Sequence, residues 1–128
     1  MQNSTTTQNA TAAFMHSLFV QKGAYKAGEA AIASDTSFAL RYARDITKKP
    51  FPKGEAAIAL NAFASVSYAK YVLKKRFVKG EAAISRNAKC ALNYARDVLN
   101  GRFEAGEAAI FSDAKCASEY ERFIIKGS

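Results

Sequence analysis

The acidic side chains best suited to chemistry are four glutamates that occupy one position of a 26-residue repeat. They lie in the string Gly-Glu-Ala-Ala-Ile, which occurs four times without insertion, at Glu29, Glu55, Glu81 and Glu107. A basic residue follows each of them at constant spacing, at Arg44, Lys70, Arg96 and Arg122. An active site is normally built once, from unlike residues that converge on one pocket. We therefore expect each glutamate to form an ion pair between short and long helices, as Glu29 with Arg44, and we predict that the protein is not an enzyme.

A row of tyrosines has the same period, and its members are Tyr42, Tyr68, Tyr94 and Tyr120. An aromatic ring repeated every 26 residues fills the same gap between successive units, so these rings are predicted to pack inside the array. The alternative is that they line a groove and stack on the exposed bases of a nucleic acid.

The remaining candidates for chemistry are one histidine and two cysteines. His16 takes the tyrosine position of the repeat, and no other residues surround it at metal-ligand spacing, so we predict neither a zinc site nor any other cofactor. Cys90 and Cys116 share one repeat position, and neighbouring helix axes are about 8–10 Å apart, which is too far for an undistorted disulfide. Two unbridged, buried thiols fit a reducing cytoplasm.

Basic residues are concentrated near the predicted C-terminal ends of the long helices. The chain has 19 Lys and Arg against 11 Asp and Glu, a formal charge of +8. Eleven of the basic residues fall on this edge, which we call the basic rim: Lys22, Lys26, Lys48, Lys49, Lys53, Lys74, Lys75, Arg76, Lys79, Arg102 and Lys126. The helix dipole favours a cation at a helix C-terminus, but it does not explain two or three adjacent cations, as in Lys48-Lys49 and Lys74-Lys75-Arg76. We predict that the rim binds an anionic partner through Lys48, Lys49, Lys53, Lys74, Lys75, Arg76, Lys79 and Arg102.

The elements that position these residues follow from the repeat. A fixed period of 20–50 residues indicates stacked structural units, and each unit has the pattern of two helices. Asp35, Asn61, Asn87 and Asp113 share the position of an N-cap before a long helix, for example residues 88–100. The predicted fold is an all-α solenoid of about four two-helix repeats, preceded by an N-terminal half-repeat helix, with about nine helices in total.

The domain boundaries follow from the same register. We expect a loose polar N-terminus at 1–10 and a single helical-repeat domain at 11–128, with unit 1 at 28–53, unit 2 at 54–79, unit 3 at 80–105 and unit 4 at 106–128. Glycine at Gly101 and Gly127, and at Gly23 in the half unit, is predicted to form the left-handed helix end. The glycine that opens each Gly-Glu-Ala-Ala-Ile string indicates a tight crossing by another helix. Glu119 and Glu121 in unit 4 are typical of a polar cap.

The period excludes tetratricopeptide, ankyrin, HEAT and armadillo units, which are longer. The pattern Tyr-Ala-Arg-Asp-Val-Leu-x-Gly-Arg-Phe-x-x-Gly-Glu-Ala-Ala-Ile, from Tyr94 to Ile110, resembles short helical repeats of uncharacterised bacteriophage and other viral proteins. The resemblance covers residues 12–127. It implies a small phage accessory protein that acts in the cytoplasm of a bacterial host, and it carries no catalytic residue with it.

Repeat arrays commonly present extended binding surfaces, so we predict a non-enzymatic binding module, a small basic inhibitor or adaptor that engages an acidic face of a host or defence protein. The alternative is sequence-nonspecific binding of RNA or DNA along the rim. No apolar run approaches a membrane span, and residues 12–20 lack the preceding basic residue of a secretory signal. We therefore expect a cytoplasmic protein without a membrane partner, either a monomer or a weak end-to-end oligomer.

Overall fold

The computed structural model describes residues 9–125, and within this range it contains nine helices and no strand. Helices of two lengths alternate along the chain, and consecutive units pack against one another. The predicted all-α repeat solenoid with a half repeat at its N-terminal end is confirmed. Residues 1–8 and 126–128 lie outside the described range, and so do the predictions made for residues 1–8 of the loose N-terminus, for Lys126 and for Gly127.

The long helices each consist of an α-helical segment that continues as a π-helical segment. They are α1 (Ala10–Met15 and His16–Gln21), α3 (Thr36–Arg41 and Tyr42–Thr47), α5 (Ala62–Ser67 and Tyr68–Leu73), α7 (Ala88–Tyr94 and Ala95–Leu99) and α9 (Ala114–Tyr120 and Glu121–Ile125). The short helices each begin with a 3₁₀ turn. They are α2 (Lys26–Gly28 and Glu29–Ala33), α4 (Pro52–Gly54 and Glu55–Ile58), α6 (Val78–Gly80 and Glu81–Ile84) and α8 (Glu104–Gly106 and Glu107–Phe111).

The long helices begin at the predicted N-caps. Asp35, Asn61, Asn87 and Asp113 each accept a hydrogen bond from the backbone N–H three residues later. Asn9 makes the same cap for α1 by accepting from Ala12 at 2.7 Å. The helix therefore starts at Ala10, and the expectation of loose structure through residue 10 is wrong for its last two residues, because a capping side chain was present one repeat before Asp35.

The four long helices whose ends lie within the described residues, α1, α3, α5 and α7, end in a left-handed residue, but this residue is not the predicted glycine. The angle φ lies between 53° and 57° at Lys22, Lys48, Lys74 and Asn100, whereas no glycine in the described range has a positive φ. The residue after each of them donates its N–H to the carbonyl six positions earlier, as from Gly101 to Ala95 at 3.1 Å. In this helix ending the left-handed residue directly follows the helix, so Gly23 and Gly101 stand one position too late.

The tight crossing predicted at the glycine of each short helix is confirmed. A Cβ atom placed on Gly54 would lie 2.9 Å from the Cβ of Ala39 and 2.7 Å from the ring of Phe51. Gly28, Gly80 and Gly106 meet the long helix of the preceding unit in the same way, through Ala13, Ser65 and Ala91. The glycine therefore allows the short helix of one unit to rest directly on the long helix of the unit before it.

Candidate functional site

The tyrosine row forms the internal connection between units. The side chains of Tyr42, Tyr68, Tyr94 and Tyr120 are fully buried. The hydroxyl of Tyr68 accepts the backbone N–H of Phe51 in unit 1 at 2.9 Å, while its ring packs on Phe77 with centroids 4.9 Å apart. This confirms the packing interpretation, and burial removes these rings from any role in base stacking.

Each buried tyrosine also donates its hydroxyl proton to the signature glutamate of its own unit. The pairs are Tyr42–Glu29, Tyr68–Glu55, Tyr94–Glu81 and Tyr120–Glu107, at 2.5–2.7 Å. Burial, together with the neighbouring carboxylate, raises the pKa of Tyr42 to about 12. The phenols therefore remain protonated at neutral pH and act as donors to the glutamates.

The predicted ion pair between Glu29 and Arg44, and its equivalents in other units, is wrong. Arg44 pairs with Asp45 at 2.9 Å instead. Tyr42 and Arg44 are two residues apart, and side chains at this spacing lie on different sides of a helix. Because Tyr42 points at Glu29, Arg44 points away from it. The other members of the basic row within the described residues that form ion pairs, Lys70 and Arg96, both contact Asp97.

The signature glutamates pair with cations of the basic rim. The four ion pairs are Glu29–Lys53 at 3.6 Å, Glu55–Lys79 at 3.0 Å, Glu81–Arg76 at 2.9 Å and Glu107–Arg102 at 2.9 Å. Two different repeat positions supply them. The arginines precede the glutamate by five residues, and the lysines follow it by 24 residues.

The two positions compensate for each other. Where the loop before the glutamate carries no arginine, as at Ala24 and Pro50, the 3₁₀ turn that begins the next short helix carries Lys53 or Lys79. Glu81 has the arginine, Arg76, and the position 24 residues after Glu81 carries Ala105 in place of a lysine. Every glutamate thus has one basic partner, which indicates that this contact belongs to the repeat architecture. Desolvation raises the pKa of Glu81, but the hydrogen bonds from Arg76 and Tyr94 outweigh it, so the pKa is lowered overall. Arg102 lowers the pKa of Glu107 in the same way.

The eight rim residues predicted as the binding site therefore divide into two groups. Lys53, Arg76, Lys79 and Arg102 are engaged with glutamates. Among the residues that the structure describes, the other four have no carboxylate within 4 Å, and we call them the unpaired rim lysines: Lys48, Lys49, Lys74 and Lys75. They follow α3 and α5, whose π-helical segments contact each other, and all four are exposed.

Open clefts lie along the rim beside these lysines. One cleft of about 290 Å³ is lined by Lys26, Lys49 and Lys53 around Glu29 and the buried Tyr42. A second, of about 540 Å³, is lined by Lys75, Arg76 and Lys79 around Glu55. Each cleft thus combines a neutralised glutamate with at least one lysine that has no ionic partner, so the surface keeps a net positive charge.

The one histidine and the two cysteines are packed against other residues. The ring of His16 packs against Tyr25 in a tilted arrangement with centroids 4.1 Å apart, at the positions that a tyrosine and a phenylalanine occupy in the next unit, Tyr42 and Phe51. The thiols of Cys90 and Cys116 are buried and not joined to each other, and burial raises the pKa of Cys90 to about 11. Residues 9–125 contain no group of three or more acidic, histidine or cysteine side chains arranged to hold a metal ion.

Unit 2 carries a group of exposed apolar side chains that the sequence did not lead us to predict. Leu60, Phe63, Tyr71 and Val78 expose between 55% and 81% of their surface. The signal that would have found them is a comparison between the repeats, since units 1 and 3 carry polar residues or proline at these four positions. Phe63 and Tyr71 line a cleft between α5 and α7.

None of the helices between residues 9 and 125 has the length and apolar character that crossing a membrane requires. Comparison with known proteins finds no matching family model, no similar curated protein and no similar solved structure.

Proposed function

We propose that this protein is a non-enzymatic helical-repeat binding module whose basic rim engages an acidic face of a partner protein. The observation that carries the proposal is the set of unpaired rim lysines. The architecture accounts for the other four predicted rim cations, because each of them neutralises a signature glutamate. It gives no such reason for Lys48, Lys49, Lys74 and Lys75.

The backbone at two of these lysines strengthens the argument. Lys48 and Lys74 adopt φ values of 55° and 57°, a conformation that costs an L-residue about 1–2 kcal/mol and glycine much less. Glycine is already used one position later in the half unit and in unit 3. A lysine held in an unfavourable conformation at an exposed helix end supports a role for its charge.

A catalytic role is not proposed, because the signature glutamates are occupied by a tyrosine hydroxyl and a cation in every unit. The alternative function remains sequence-nonspecific binding of RNA or DNA, which a row of unpaired lysines also favours. A protein partner is preferred because the tyrosine row is buried and therefore not available for stacking on bases. The resemblance to phage helical repeats makes a protein of the bacterial cytoplasm, host or defence component, the proposed target.

A capture experiment tests this proposal. The immobilised protein is incubated with bacterial lysate after nuclease treatment, and retained proteins are identified by mass spectrometry. We expect one acidic protein in stoichiometric amount, and its loss with Lys74→Ser/Lys75→Ser. Arg86→Ser/Lys115→Ser is the matched control, since it removes the same charge from exposed positions where other units carry serine. Arg76 is left unchanged so that Glu81 keeps its partner.

Two results would contradict the proposal. Undiminished retention by the Lys74→Ser/Lys75→Ser variant would exclude the rim as the binding surface. Loss of every partner after nuclease treatment, together with a salt-sensitive gel shift of RNA or DNA, would favour the nucleic-acid alternative.

A further inference from the structure

Comparing residues at equivalent positions of the four units separates those that the fold needs from those that it does not. Unit 2 exposes Leu60, Phe63, Tyr71 and Val78 by 81%, 61%, 55% and 70%. The corresponding residues are Ser34, Ser37, Asp45 and Pro52 in unit 1, and Arg86, Lys89, Asp97 and Glu104 in unit 3. Because all units make the same internal contacts, the stacking of repeats does not require these apolar side chains.

Two of them border a cleft of about 190 Å³ between α5 and α7. Phe63, Ser67 and Tyr71 are spaced four residues apart and therefore lie along one side of α5. The small side chain of Ser67 leaves room between the two rings, whereas Arg41, Asn93 and Glu119 occupy its position in the other units. Cys90, Asn93 and Asp97 of α7 line the opposite side. The cleft offers space for an apolar side chain inserted between two aromatic rings.

The charges around this cleft indicate what accompanies such a side chain. Lys70 Nζ lies 3.2 Å from Asp97 Oδ2 and 5.2 Å from the centroid of the Tyr71 ring. Lys89, which precedes Cys90, has no carboxylate within 4 Å in the described part of the chain. Lys74 and Lys75 follow Tyr71 by three and four residues, directly after the end of α5 at Leu73. Unpaired lysines therefore lie on α7 and directly after α5, the two helices that form the cleft.

The same surroundings disfavour a nucleic acid as the occupant. Asp45 and Asp97 hold the position of Tyr71 in the two neighbouring units, so units 1 and 3 offer no ring at this position on which successive bases of a strand could stack. Lys70 also covers one face of the Tyr71 ring, which leaves less of it for a stacked base. Aromatic residues are enriched in the buried centres of protein–protein interfaces.

We propose that the cleft of unit 2 binds an amphipathic segment of a partner protein, with an aromatic or aliphatic side chain between Phe63 and Tyr71 and carboxylates directed to Lys74, Lys75 and Lys89. This proposal rests on the proposed function and deepens it, because the cleft supplies an apolar anchor for the partner that the rim attracts. The rim then accounts for the salt dependence of binding, and the cleft accounts for its selectivity.

The test uses synthetic peptides and the full-length protein labelled with ¹⁵N. The probe is a helical peptide rich in glutamate that carries one phenylalanine, and its companion has serine in place of the phenylalanine. We expect the first peptide to shift the amide signals of residues 63–71 and 89–97 and to bind about tenfold more tightly than its companion. Phe63→Ser/Tyr71→Asp installs the residues of unit 1 and should abolish this preference.

The control is Phe123→Asp, which makes the same kind of change at the repeat position of Tyr71 in unit 4, where the side chain is 56% exposed. It should leave the preference for the phenylalanine peptide unchanged. An equal loss with Phe123→Asp would mean nonspecific apolar adsorption and would overturn the proposal. Equal affinity for both peptides, or no binding of either, would overturn it as well.

A second variant distinguishes failure of the cleft proposal from failure of the rim proposal. Lys74→Ser/Lys75→Ser should weaken both glutamate peptides while the preference for phenylalanine persists. If the peptides bind equally and this variant weakens both, the rim proposal stands and the cleft proposal fails. Tighter binding of single-stranded oligothymidine, with shifts at residues 63–71, would replace the protein segment by a nucleic acid and overturn the inference.

Discussion

The hydroxyl of Tyr68 donates to Oε2 of Glu55 at 2.6 Å while it accepts the backbone N–H of Phe51 at 2.9 Å. The ring of the same tyrosine packs on Phe77. One side chain thus joins the loop before α4, α4 itself and the loop between α5 and α6. This connection, repeated along the array, explains why tyrosine stands at the same position in all four units.

Replacing Tyr68 by phenylalanine should therefore destabilise the protein although the ring remains. The Phe51 N–H and the half-buried Glu55 carboxylate would each lose a partner, at a cost of about 1–3 kcal/mol in the free energy of unfolding. Urea denaturation followed by circular dichroism measures this change. Tyr71→Phe is the control, because Tyr71 is exposed and should change the free energy by less than about 0.5 kcal/mol. Equal effects of the two variants would contradict the role assigned to the buried hydroxyl.

Gly54→Ala should destabilise the protein even though alanine is the better helix former. The intrinsic preference for alanine is about 1 kcal/mol, but the new Cβ would lie 2.9 Å from the Cβ of Ala39 and 2.7 Å from the Phe51 ring. Relief requires the short helix to move away from the preceding unit, which costs about 1–3 kcal/mol or more. Gly23→Ala meets no atom within 4 Å and serves as the control. A higher melting temperature for Gly54→Ala than for the wild type would refute the tight crossing.

Much of the fold follows from the sequence because the repeat shows which positions are equivalent. The N-cap at Asp35 and the crossing at Gly54 each depend on one residue type and its local geometry, so four copies of each made them predictable. The left-handed residue was placed one position late, at Gly101 in place of Asn100. Glycine at a helix end is a strong signal, but here the helix ends at Leu99 and the left-handed residue that follows it is Asn100.

The pairing of charges was less predictable because it depends on the rotational position of each residue on its helix. Arg44 and Tyr42 are both candidates for Glu29, and only the packing of α3 decides that the tyrosine faces it. The actual basic partners could nevertheless have been recognised in the sequence, because the two positions that supply them compensate for each other. Glu55, for example, is preceded by Pro50 where an arginine would stand, and Lys79 is its basic partner. The exposed Phe63 escaped attention for a related reason, since residues that recur attract notice and those that depart from the repeat do not.

The stability of the protein should decrease in acid because several carboxylates have lowered pKa values in the folded state. Desolvation raises the pKa of Glu81, but the hydrogen bonds from Arg76 and Tyr94 outweigh it and bring the value below the usual 4.5. Arg102 lowers the pKa of Glu107 in the same way. A lowered folded-state pKa stabilises the protein fully above pH 4.5, and this contribution disappears as the pH falls through the folded-state value.

The variant Arg76→Ala tests this dependence. It should melt at a lower temperature than the wild type at pH 7, and the difference should narrow in acid as the pH falls through the folded-state pKa of Glu81, because protonation removes the charge that Arg76 contacts. Thermal unfolding at a series of pH values measures the difference. Arg86→Ala, which removes an exposed cation with no ion pair in the described part of the chain, should show no such narrowing. A constant difference for Arg76→Ala across the pH range would exclude the ionic contribution of Glu81.

Lys48→Gly/Lys74→Gly should separate folding from binding. Both lysines have a positive φ, and glycine relieves a conformational cost of about 1–2 kcal/mol at each site. The gain is offset by the greater chain entropy of unfolded glycine and by the lost attraction of a cation to the helix C-terminus, each about 0.5–1 kcal/mol. The melting temperature should therefore stay the same or rise, while the affinity for an acidic partner falls and its salt dependence weakens.

The matched control is Lys53→Gly/Lys79→Gly, because it removes the same charge from lysines that neutralise Glu29 and Glu55. This variant should lower the melting temperature. If Lys48→Gly/Lys74→Gly melts earlier and binds as tightly as the wild type, these lysines serve the fold, and the rim is not the surface that recognises the partner.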